Sequence, residues 1–67
     1  MNVELIGSWA GLVWNALDGV ESMNLKQVKK ATKLKEKELY AAMGWLGREG
    51  KLNIVEEEKD LVLSLVK

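Results

Sequence analysis

Lys26, Lys29, Lys30 and Lys33 recur at intervals of three and four, so a helix through them gathers four ammonium groups on one side. A solvent-facing row of ammonium groups suits oxyanions spaced along a polymer, and a nucleic-acid backbone is such an array. Lys35 extends the row. Beyond it stand Lys37, Tyr40 and Arg48, of which Lys37 and Arg48 have the donors to pair bidentately with guanine, while the same stretch offers no Asn or Gln for adenine. Other chemistry is poorly supplied. The chain has no Cys and no His, which removes thiolate nucleophiles, disulfides, the usual general base and the commonest metal ligand. Glu56, Glu57 and Glu58 cluster in a short turn, with no sign of a pocket to shift a pKa. The reading is of no catalytic residue, no cofactor site, no metal site and no small-molecule ligand: not an enzyme.

The elements that must position these side chains come from a short chain. With 67 residues, 48% hydrophobic and 30% charged, it has the composition of one folded domain, residues 1–67. A domain this small hides only about 60% of the surface its unfolded chain exposes, so each apolar side chain counts. The formal charge is zero, yet unevenly spread. Glu4, Asp18 and Glu21 make the first third acidic, seven lysines and Arg48 make residues 22–51 basic, and Glu56, Glu57, Glu58 and Asp60 make the end acidic. No apolar run is long enough to span a bilayer and no leader-like segment opens the chain, which reads as a cytoplasmic module.

On a helical wheel, residues 3–18 place Ile6, Ala10, Val13 and Leu17 in one stripe and Leu5, Trp9, Leu12 and Ala16 in a second beside it. Trp14 widens the apolar arc further, and Gly19 is suited to close the helix in the left-handed conformation. Asn24 followed by Gln27 reads as a capping box opening a helix over 25–32. Its wheel turns Leu25, Val28, Ala31 and Thr32 to one side and the lysines to the other. A tight connection at 34–36, with Lys35 as N-cap, leads to a third helix over 36–49, where Leu39, Ala42, Met43 and Leu46 form the buried face. Gly50 ends it.

The apolar period then falls to two. Leu52 and Ile54, then Leu61, Leu63 and Leu65, predict a hairpin with one buried face, its strands over 52–56 and 61–66 and its turn acidic. Residues 22–24 are placed to add a short third strand at its edge. An isolated hairpin is barely stable, so it must share a core with the helices. The fold class is α+β: three helices, then a two-stranded wing.

The run Leu39-Tyr40-Ala41-Ala42-Met43-Gly44-Trp45-Leu46-Gly47-Arg48-Glu49-Gly50-Lys51-Leu52 carries more than architecture, as do Asn2 to Gly7 and Ala31 to Leu34. Together they closely resemble a family of small stand-alone bacterial winged helix-turn-helix proteins without an assigned function. The resemblance covers nearly the whole chain. It implies the winged-helix fold, a bacterial origin and a DNA-binding role.

Two functions stay open. In the first, Lys26, Lys29, Lys30, Lys33 and Lys35 hold DNA phosphates, while Lys37, Tyr40 and Arg48 meet base edges, as in a transcription regulator. The acidic turn at the wing tip argues against the usual docking, because it would approach phosphates with negative charge. In the second, the winged helix binds protein and no DNA. One three-helix core is too small to absorb the whole apolar arc of the first helix, and surplus apolar surface marks association sites. Leu5, Trp9, Leu12 and Ala16, with Ala41, Gly44 and Trp45 on the third helix, are the candidate contacts, and a homodimer is the expected assembly. Gly44 and Gly47 suggest close approach of another backbone, and Trp45 is expected to lean on the wing.

Overall fold

Each helix begins and ends on a local hydrogen-bonding device. In the computed structural model, which describes residues 2–66, the side chain of Asn2 accepts from the Leu5 N–H at 2.8 Å and opens α1 (Val3–Leu17). Gly19, in the left-handed region at φ 87°, lets the chain turn away after the Asp18 cap. The capping box is complete: the Gln27 N–H donates to the Asn24 side chain at 2.8 Å and the Asn24 N–H to the Gln27 side chain at 2.9 Å. It opens α2 (Leu25–Thr32). Only half a box opens α3 (Glu36–Arg48), because lysine has no acceptor: the Lys35 N–H donates to Glu38 Oε1 at 2.9 Å, with nothing returned. At the far end Lys51 N–H donates to Leu46 O at 2.9 Å and Gly50 N–H to Gly47 O at 3.1 Å. Those two bonds satisfy the Leu46 and Gly47 carbonyls at the end of α3 and turn the chain into the sheet.

Three antiparallel strands follow the order β1-β3-β2, with β1 at Met23–Asn24, β2 at Leu52–Glu57 and β3 at Asp60–Leu65. The short strand expected near 22–24 is present, paired with β3, which becomes the centre of the sheet. Pairing of Glu57 with Asp60 leaves a two-residue turn, Glu58 and Lys59, tighter than the four-residue turn the sequence suggests. Glu58 takes φ 49° to close it.

The core gathers Ala10, Val13 and Leu17 of α1, Val28 of α2, Leu34, the four apolar residues of α3 named above, and Leu52 and Leu63 of the sheet. No polar or charged residue is buried among the described residues. Two apolar positions do not go where their periodicity sends them. Ala31 lies exposed, because α2 meets the core along Val28 and the half-buried Leu25 and Thr32 only. Ile54 shares the inner row with Leu63 but stays 45% exposed, because β2 is an edge strand.

Candidate nucleic-acid interface

The capping box fixes where α2 starts, and burial of Val28 fixes its rotation. Lys26, Lys29, Lys30 and Lys33 then all face solvent. With Asn24, Gln27 and Leu34 they line a shallow depression of about 710 Å³ along the outer side of α2. Lys33 stands out in its backbone. It holds the left-handed conformation, φ 61° and ψ 19°, where glycine or asparagine is the ordinary choice. Its N–H donates to Lys29 O at 2.9 Å, and Thr32 Oγ1 donates to Val28 O at 2.8 Å while accepting from the Leu34 N–H at 3.3 Å. These bonds hold the turn between α2 and α3; Lys33 stays on the α2 surface, while Lys35 lines a separate depression with Lys37 and Glu38 of α3 and Leu5 and Trp9 of α1.

Burial of Leu39, Ala42, Met43 and Leu46 turns the opposite side of α3 outward. Lys37, Tyr40, Gly44, Gly47 and Arg48 are exposed there, and Ala41 is half-buried. A Cβ placed on Gly44 or Gly47 would meet no atom within 4 Å, so nothing among the described residues makes the close approach their small size suggested. The face is low and open, with one lysine near its start and one arginine at its end. Glu38 is half-buried and its carboxylate is engaged with the Lys35 backbone. The wing tip projects Glu56, Glu57, Glu58 and Asp60, all exposed.

The candidate protein-contact residues do not form one patch. At 100° per residue, Leu5, Trp9, Leu12 and Ala16 occupy one flank of α1. Leu5 and Leu12 are each 45% exposed, while Trp9 and Ala16 are half-buried and Trp9 packs on the core. Trp45 lies beside the opposite flank, where it shares a groove of about 240 Å³ with Gly7, Ala10, Gly11 and Trp14 of α1 and with Lys51. It therefore borders α1 as well as the start of the wing. Gly44 and Ala41 belong to the outward side of α3. What the sequence did not signal is the left-handed state of Lys33 and the exposure of Ile54. The first is a conformation that a lysine does not advertise, and the second follows from strand order.

Three helices with the second and third joined by a tight turn, and a hairpin wing completing a small sheet, define a winged helix-turn-helix domain. The chain belongs to the winged helix-turn-helix domain family DUF2582, whose profile matches residues 1–65. No curated protein matches the chain. Among the described residues no helix is long and apolar enough to cross a membrane, and no group of three or more His, Cys, Asp or Glu could hold a metal ion.

Proposed function

We infer that this chain is a bacterial, cytoplasmic DNA-binding protein of the transcription-regulator type that grips the duplex backbone and reads bases weakly. The observation that carries this reading is the run of exposed cations Lys26, Lys29, Lys30, Lys33 and Lys35, with no carboxylate between Ser22 and Lys35. Phosphate contacts from this surface supply affinity and orientation. Lys37, Tyr40 and Arg48 supply what selectivity there is, and two cationic side chains on an otherwise low helix face can distinguish few base pairs. The acidic wing tip is then held away from the phosphates, so the protein docks through its helices alone.

The test separates the two groups of residues. Replacing Lys29 and Lys30 together with Glu is expected to weaken binding to every duplex by similar factors, whereas Arg48→Ala is expected to change the ranking among sequences. Loss of ranking in the lysine pair, with uniform weakening in Arg48→Ala, would reverse the assignment.

A second reading keeps the fold and changes the partner. Leu5 and Leu12, exposed on α1, favour a protein-docking face there. Under it the double variant Leu5→Glu/Leu12→Glu loses association with protein while remaining folded. Unaltered association in that variant would remove α1 from consideration.

A further inference from the structure

The edge of the sheet is open, and its chemistry is self-complementary. Among the described residues β2 is hydrogen-bonded to β3 alone. The Val66 N–H donates to Lys51 O at 3.0 Å, and the register pairs Asn53 with Ser64, Val55 with Val62 and Glu57 with Asp60. Bonded and non-bonded positions alternate along an antiparallel ladder, so Lys51, Asn53, Val55 and Glu57 turn their backbone groups inward to β3. Leu52, Ile54 and Glu56 therefore direct their N–H and C=O groups outward. Ile54 and Val55, on opposite faces of the strand, are 45% and 51% exposed. Only another strand can satisfy such a row of donors and acceptors while covering apolar side chains on both faces.

The charges select which strand. Lys51 stands at one end of β2 and Glu56, Glu57 and Glu58 at the other. A parallel copy would align those carboxylates with their own counterparts. An antiparallel copy with its two-fold axis at Ile54 brings Lys51 opposite Glu57 of the second copy, twice by symmetry. It also places Leu52, Ile54 and Glu56 opposite Glu56, Ile54 and Leu52, so all three outward-facing residues fall in bonded pairs. Axes at Val55 or Asn53 carry the mate of Lys51 or of Glu57 beyond the ends of the second copy's β2 and lose both Lys51–Glu57 pairs. We propose that two copies of this chain associate through antiparallel β2 edges centred on Ile54, forming one continuous six-stranded sheet with Lys51–Glu57 pairs at both ends of the seam.

This goes beyond the DNA-binding reading and does not depend on it. It also differs from an α1 seam, because the exposed leucines of α1 would accept any apolar partner and nothing there selects a second copy. The two-fold would present the two basic surfaces symmetrically, which suits a palindromic or spaced pair of contacts on DNA.

The test is sedimentation equilibrium of the whole chain from micromolar to millimolar concentration. Lys51 and Glu57 are six residues apart on one extended strand, about 20 Å, so they do not meet within a copy. Both are exposed, and their replacement leaves the core intact. Wild type is expected to dimerise, Lys51→Glu and Glu57→Lys each to weaken the dimer by about tenfold, and the combined exchange to restore it to within about threefold. Ile54→Pro, which removes an N–H that β3 does not use, is expected to leave a folded monomer. A wild type that stays monomeric at millimolar concentration overturns the proposal. So does a combined exchange no better than its parents, or a dimer that Leu12→Glu abolishes while the β2 variants do not.

Discussion

Replacing Lys33 with glycine should move stability and DNA affinity in opposite directions. An L-residue in the left-handed region is disfavoured by roughly 1–2 kcal/mol against the right-handed one, and Lys33 is held there at φ 61° by the turn between α2 and α3. Glycine removes that strain but gives back about 0.5–1 kcal/mol through the greater freedom of its unfolded state. The difference leaves Lys33→Gly more stable by about 0.5–1 kcal/mol, which in a domain of this size raises the melting temperature by roughly 3–6 °C. The bonds that hold the turn come from the Lys33 backbone and from Thr32, so glycine keeps them. The DNA term has the other sign. One lost phosphate contact reduces the slope of log affinity against log salt by about 0.9, a difference of about 3.5-fold accumulated over a fourfold change in salt. Thermal unfolding followed by circular dichroism, with duplex binding measured on the same preparation, checks both. A variant that melts lower than wild type would refute the strain argument. A variant with unchanged salt slope would take Lys33 out of the phosphate contacts.

Gly44→Ala and Gly47→Ala should each stabilise the chain by about 0.4–1 kcal/mol, because the added methyl meets open space on a helix; denaturant titration checks this, and a loss would mean something packs there. Asn24→Ala removes the acceptor of the Gln27 N–H while the backbone N–H at position 24 can still donate to Gln27, and should lose about 1 kcal/mol, seen as a shift of the urea midpoint with unchanged slope. Leu63→Ala, at a fully buried site in the central strand, should lose about 2–5 kcal/mol and can unfold so small a domain outright, whereas Ile54→Ala at the edge should lose under about 1 kcal/mol in the monomer.

What the sequence made legible is what short-range chemistry decides. The Asn24–Gln27 spacing, the left-handed glycines at 19 and 50, and the rotation of α2 and α3 about their apolar rows all depend on residues within one or two turns of each other. The helix limits agree to within a residue, and the α+β winged arrangement follows from element order. Misreadings arose where long-range placement decides exposure. Ile54 has the period of a core residue, yet strand order puts it on the rim, and Ala31 has the right phase on α2 but no element opposite it. The relative placement of the candidate protein contacts, with Leu5, Trp9, Leu12 and Ala16 on one flank of α1, Trp45 beside the other and Ala41 and Gly44 on the outer side of α3, depends on the crossing of α1 on α3, which no local pattern encodes. The cationic surface was legible residue by residue, since lysines opposite a buried Val28 have nowhere to go but solvent.

The central claim is that the lysines of α2 and the following turn hold nucleic-acid phosphates, and its most direct measurement is fluorescence anisotropy of a labelled random-sequence duplex at several salt concentrations. Micromolar affinity that falls steeply with salt, with a slope near −0.9 for each of about four or five contacts, is the predicted result. No binding at low salt, or binding that salt leaves unchanged, would contradict it and leave those lysines as solvated surface.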